Sequence, residues 1–200
     1  MDGMSEFDWR VLRESFAGIP YEESAAFAMV PTVTSLSRQS LLSGKYPRDL
    51  SSQWTTGKEK SEFVGRVRSW DIGDERIAYL REYNTELPYG CECAAFVALD
   101  VDEHVHVQYG GRAGMLKDME LLRDSGELAG LVRRLSSSGM DVYISADHGN
   151  TPCVGHGLVT GASVETETRS RRMLVVNGLA DVSDKQEKYG LLQCPGGFLP

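Results

Sequence analysis

The sequence is short of the features that would mark a secreted, membrane-spanning or DNA-coating protein. Its 200 residues hold four cysteines (Cys91, Cys93, Cys153 and Cys194), too few to staple a chain of this length with disulfides. No apolar run approaches the ~18 residues that a membrane span needs. The first fifteen residues carry Asp2, Glu6, Asp8, Arg10, Arg13 and Glu14, which do not read as a secretory leader. Positive charge is in deficit: 21 Lys+Arg against 29 Asp+Glu leave a net −8, the wrong sign for a domain that grips duplex DNA non-specifically. Histidine is scarce, with four in the chain. What is present, 41% hydrophobic and 25% charged residues, suits a globular domain and excludes disorder, collagen and coiled coil. The expectation is a cytoplasmic α/β domain with reduced thiols.

Strand and helix signals alternate along the chain. Ser5 opens a helical pattern to Phe16 (Phe7, Val11, Leu12, Phe16), with Asp8 at the reciprocal capping position. Ala25 to Val30 reads as a buried strand stopped by Pro31, and Ser35 to Ser43 as a helix capped by Gly44. Residues 48–70 are Ser/Lys/Thr-rich and read as a long loop, followed by a helix over Ile72–Tyr83. Ala94–Val101 is a second strand. Met115–Leu122 and Glu127–Leu135 are amphipathic helices, the latter ended by Gly139. Asp141–Ser145 and Arg172–Val176 are further strands, and Gly110 to Gly114 is a turn. Strands recurring between helices predict a mostly parallel sheet within one domain spanning residues 1–200.

In such sheets ligands gather beyond the carboxyl ends of the strands, and three polar clusters fall there. They are Asp102-Glu103-His104-Val105-His106, then Asp147-His148-Gly149-Asn150 with Gly155-His156-Gly157, and Pro31-Thr32-Val33-Thr34. All four histidines lie in the first two. Carboxylates mixed with imidazoles suit zinc or manganese, although Asp and His also favour such loops for no chemical reason. Thr34 stands before a helix, where free N–H groups favour anions. Position alone leaves open whether Thr34 or Ser35 merely caps that helix.

Taken in order, these residues resemble a known set. Pro31-Thr32-Val33-Thr34-Ser35-Leu36-Ser37-Arg38, leading to Ser43-Gly44-Lys45-Tyr46-Pro47, is similar to the nucleophile segment of the alkaline phosphatase superfamily. Within it, the PglZ domain of bacterial phage-defence systems is the nearest likeness. That likeness is carried by Asp2-Gly3-Met4-Ser5, Ser35 to Gly44, Leu99 to His106, Tyr143 to Asn150 and Arg171-Arg172-Met173. It implies an alkaline-phosphatase-like sandwich around a mostly parallel sheet. Asp2 is the second residue, so the strand expected to carry it is missing or truncated, and the chain reads as a piece of a larger protein.

The resemblance further implies two divalent cations, zinc with manganese as the alternative. One would be held by Asp102, His106 and His156, the other by Asp2, Asp147 and His148, with the Thr34 oxygen between them. Thr34 would be the nucleophile of a phosphatase or phosphodiesterase, since a bound cation makes its alkoxide accessible near neutral pH. Arg38, four residues on, is placed as a catalytic, substrate-binding residue that contacts a phosphate oxygen, with a solvent-facing arginine as the alternative. A sulfatase is disfavoured, because it needs an oxidisable Cys or Ser where Thr34 stands and a Pro where Leu36 stands. His104 is off the ligand spacing, Asp100 competes with Asp102, and Cys91 and Cys93 are ordinary thiols. The partners implied are a phosphate ester, with nucleotides and nucleic acid among the candidates, and other phage-defence proteins, with no membrane. Two competing readings are a nuclease acting on phage DNA and a non-catalytic module that binds metal or nucleotide.

Overall fold

The structure is a computed structural model that describes residues 1–29, 32–52, 55–154, 164–165, 175–176 and 182–190. The fold is mixed α/β. Helix α1 (Glu6–Leu12) runs into a 3-10 turn over Arg13–Phe16, and α2 spans Thr34–Ser43. Then come α3 (Glu59–Arg68), β1 (Ile77–Leu80), β2 (Cys93–Phe96), α4 (Asp100–Val107), α5 (Gly111–Ser125) and α6 (Glu127–Ser137). Beyond them, β3 (Val164–Glu165) pairs antiparallel with β4 (Val175–Val176), and α7 is Val182–Tyr189. β1 and β2 are parallel, with Ile77 opposite Cys93 and Leu80 opposite Phe96. Among the described residues no helix is long and apolar enough to cross a membrane.

Local chemistry explains the helix ends. The Ser5 N–H donates to Asp8 Oδ2 (2.8 Å) and the Asp8 N–H donates to Ser5 Oγ (3.4 Å), the reciprocal box expected at the start of α1. Gly44 closes α2 at φ 69°, a left-handed conformation that favours glycine. One apolar cluster joins Met4 and Leu12 to Val101 of α4 and to Met115, Met119 and Leu122 of α5. A second joins Phe16 to Leu128 and Val132 of α6, and a third joins Phe63 and Val67 of α3 to Ala95 of β2.

Five expectations are corrected, the first being the turn over Gly110 to Gly114, where Gly111 already opens helix α5. The described part of the 25–30 run, residues 25–29, lies outside any sheet, with Phe27 and Met29 exposed; an unbroken apolar run does not say what it packs against. Residues 48–70 are no long loop. Glu59–Arg68 is helical, with acids in its first turn and arginines in its last, and Phe63 and Val67 form a narrow i, i+4 stripe that the polar composition hides. The helix predicted over Ile72–Tyr83 is instead a 3-10 turn over Asp74–Arg76 leading into strand β1, whose four consecutive apolar residues fit a short strand. The strand predicted over Ala94–Val101 ends early, although the Val97 N–H still donates to Leu80 O at 2.9 Å. Acids at Asp100, Asp102 and Glu103 then favour a new helix start. Asp102 and His106 therefore sit on helix α4 rather than in a loop.

Residues 141–145 alternate between exposed and half-buried, with Val142 and Ile144 against the core and Tyr143 outward, yet they join no ladder among the described residues. Met1 and Asp2 lie beside this segment and the end of β2. The amino group of Met1 donates to Ser145 O (2.8 Å), and the Asp2 N–H donates to Ala98 O (2.9 Å). Of the strand expected over Arg172–Val176, only Val175–Val176 is described, as β4; Arg171, Arg172 and Met173 lie outside the described residues.

α3 is tied to the loop after α2 by Glu62, which is buried and accepts from Lys45 Nζ (2.5 Å) and Ser51 Oγ (2.6 Å). The bond from Lys45, then that from Ser51, hold its carboxyl below the ordinary value of 4.5. A depressed carboxylate stabilises the fold above its unfolded value and loses that contribution as pH falls through its folded one. Glu62→Gln should therefore cost about 1 kcal/mol at neutral pH. Its thermal midpoint should fall less steeply than that of the unmodified protein below pH 4.5; parallel slopes would remove Glu62 as a source of acid sensitivity.

Candidate metal centre

Two chain segments interlock to build the site. Gly3 turns at φ 65°, which points its N–H at Asp147 Oδ1 (3.1 Å). The Asn150 amide donates back to Gly3 O (2.9 Å) and to Asp8 Oδ2 (2.6 Å), clamping the 147–150 loop onto the start of α1. Gly149 passes so close to Ser5 that an added Cβ would lie 3.3 Å from its Cα, tighter than an ordinary contact. The Asp-Gly-Met-Ser and Asp-His-Gly-Asn stretches are thus two halves of one clasp.

The clasp brings Asp2, Asp147 and His148 together, all buried, with one ligand atom of each within 4.8 Å of the others. His148 Nδ1 lies 3.0 Å from Gly149 O. A carbonyl only accepts, so Nδ1 carries a proton, and Nε2 is the ring nitrogen turned toward the cluster. Nε2 stands 3.6 Å from Asp147 Oδ2 and 3.8 Å from Asp2 Oδ1. Burial first, and then the Asp147 carboxylate, push the Asp2 carboxyl up to about 6, while Arg38 pulls the other way. Asp147 Oδ2 is buried and, among the described residues, accepts no hydrogen bond. An unpartnered carboxylate oxygen beside a second carboxylate and an imidazole nitrogen is a donor set that fits a divalent cation, and two oxygens with one nitrogen suit zinc or manganese.

Thr34 is the first residue of α2, and Val33 is the cap, with no side-chain capping bond. Its hydroxyl is therefore not spent on the helix end. Oγ1 instead lies 3.0 Å from His148 Nε2 and 3.5 Å from Asp2 Oδ1. Arg38, one turn further on the same face, is buried at 6% exposure. Its Nη1 donates to Asp2 Oδ2 (2.6 Å) and its Nε to Glu59. It is not solvent-facing, and in this arrangement both contacts go to carboxylates.

The other expected ligands are less gathered. Asp102 lies under Gly3, where an added Cβ would stand 3.5 Å from its Oδ1, and it pairs with His106 Nε2 at 3.4 Å one helical turn away. Among the described residues these two join no group of three with a common ligand position. His156 lies outside the described residues. Asp100 accepts from the Tyr83 hydroxyl (2.7 Å), and His104 faces Asp118 at 3.6 Å. Sequence reasoning missed Glu59, because a glutamate at a helix start ordinarily signals only the helix dipole. Comparisons with protein-family models, with curated proteins and with solved structures return no match for this chain.

Proposed function

We propose that the chain is a metal-dependent phosphoric ester hydrolase domain, a phosphatase or phosphodiesterase of the PglZ type, with Thr34 as its nucleophile. The observation that carries this reading is the Thr34 hydroxyl. It is unspent on its own helix end and stands 3.0 Å from His148 Nε2, at the edge of the buried Asp2, Asp147 and His148 cluster. A cluster serving structure alone has no use for a hydroxyl so placed. In this reading β1, β2 and residues 141–145 belong to an alkaline-phosphatase-like sandwich. A second cation falls to Asp102, His106 and His156, and the domain works in the cytoplasm beside other phage-defence proteins.

A divalent cation on Asp2, Asp147 and His148 supplies Lewis acidity, lowering the pKa of an oxygen nucleophile and offsetting phosphoryl charge. The residues do the rest. The Gly149 carbonyl holds the His148 ring in one tautomer, so Nε2 stays aimed at Thr34 Oγ1. The positive end of α2 faces the negative charge of the phosphoryl group. In the first step a bond forms from Thr34 Oγ1 to phosphorus, the ester P–O bond breaks, and the leaving oxygen takes a proton. In the second, water attacks phosphorus, the bond to Oγ1 breaks, and Thr34 regains its proton.

The test is hydrolysis of p-nitrophenyl phosphate and of its bis-ester with zinc or manganese. Turnover should disappear with a chelator and return when the cation is restored. A preference for the bis-ester would favour a diesterase. No turnover of either ester with either cation would overturn the reading.

A further inference from the structure

We propose that Glu59 is a positioning residue for the Asp2 carboxylate, acting through the Arg38 guanidinium; this rests on Asp2 being a cation ligand. Glu59 opens α3 and is fully buried, although a buried carboxylate is costly unless its oxygens are satisfied. Both oxygens have partners. Oε2 accepts from Arg38 Nε, and Oε1 accepts from the Tyr79 hydroxyl, with Arg81 Nη2 3.9 Å away. Burial, reinforced by the bond to Glu59, pushes the Tyr79 phenol up to about 12, so it remains a donor. The result is a run of contacts from β1 through α3 and α2 to the site.

The geometry says what the run accomplishes. A guanidinium is a planar fork, so fixing Nε fixes where Nη1 points. Nη1 holds Asp2 Oδ2 at 2.6 Å, which leaves Oδ1 turned toward Thr34 Oγ1 (3.5 Å) and His148 Nε2 (3.8 Å). Without Glu59, the same fork is free to take both Asp2 oxygens in a bidentate pair. Arg38 would then compete with the cation for its own ligand. Glu59 divides the guanidinium between two carboxylates and keeps one Asp2 oxygen free.

Glu62 provides the control. It lies three residues along the same helix, is similarly buried, and pairs with Lys45 and Ser51 instead of Arg38. Zinc and manganese dissociation constants are measured by competition with a chromophoric chelator, counting only the binding that Asp147→Ala removes. Glu59→Gln should weaken binding by about ten- to a hundredfold. Glu62→Gln should stay within about twofold of the unmodified protein, although it too loses thermal stability. Glu59→Asp, which keeps the charge on a shorter arm, should fall between them, and it carries the test if the glutamine variant does not fold. Equal affinities in the Glu59 and Glu62 variants would overturn the positioning role and leave the hydrolase reading intact. If the unmodified protein binds neither cation, the hydrolase reading fails instead. The role is then decided by 15N spectra of the metal-free protein. Glu59→Gln shifting the Arg38 Nε–H and the Asp2 and Thr34 amides, where Glu62→Gln does not, supports it; unmoved Asp2 and Thr34 signals overturn it.

Discussion

Thr34→Ala should lower ester hydrolysis about a thousandfold or more while bound cation stays within about threefold of the unmodified protein. The size follows from the chemistry: removing a nucleophile abolishes the covalent route and leaves only what binding and electrostatics contribute. The retained cation follows from the geometry, since Asp2, Asp147 and His148 form their group without Thr34. Stability should change little, because the hydroxyl makes no bond to its own helix end and Val33 occupies the cap. Thr34→Ser keeps the oxygen and should retain measurable turnover. Steady-state kinetics, metal analysis and thermal melts on the same samples check all four statements. An alanine variant with near-normal turnover would remove Thr34 from the chemistry and leave direct attack by water as the route.

The sequence patterns reported most faithfully the elements governed by local rules. The Ser5 and Asp8 box, the end of α2 at Gly44, and helices α5 and α6 follow from capping residues and 3.6-residue periodicity within one short stretch. The errors fall where partners decide. Residues 25–29 and Ile77 to Leu80 are both short apolar runs, yet among the described residues only the second has a neighbouring strand to pair with. Nothing within either run carries that information. α3 escaped notice because its buried stripe is two residues wide on an otherwise charged helix.

The candidate site divides along the same line. Asp2, Asp147, His148 and Thr34 were legible through the short motifs that carry the family resemblance, and the structure gathers all four. Gly3 and Gly149 were part of those motifs, but their purpose appears only when one segment is seen against the other. Glu59 and Tyr79 were not legible at all. They reach the site across separations of 21 residues from Arg38 to Glu59 and 20 from Glu59 to Tyr79, and no motif joins them. The four gathered groups show in local pattern, whereas the groups that hold them in place are set by the fold.

Asp147→Asn should move stability and cation binding in opposite directions. The amide keeps the shape of the carboxylate and the Oδ1 that accepts the Gly3 N–H at 3.1 Å, so the clasp survives. It removes a buried charge whose other oxygen has no hydrogen-bond partner among the described residues and whose field pushes the Asp2 carboxyl up. Without a cation, that charge opposes folding, because a desolvated carboxylate beside a like charge is only partly compensated by His148 and the Met1 amino group, with Arg38 held on Asp2 and Glu59. With a cation, the same charge becomes the attraction that holds it. The metal-free variant should therefore melt about 2–4 °C above the metal-free parent, the shift that about 1 kcal/mol produces in a chain of this size. Its affinity for zinc or manganese should fall at least about a hundredfold, or ~2.7 kcal/mol, so that saturating cation raises the midpoint of the parent and leaves the variant unmoved. Calorimetry with chelator and then with excess cation reads both effects. A variant that melts lower in chelator and still gains from the cation would mean that Asp147 serves the fold alone. The opposed signs would mark a residue kept for its ligand at the expense of the empty protein's stability.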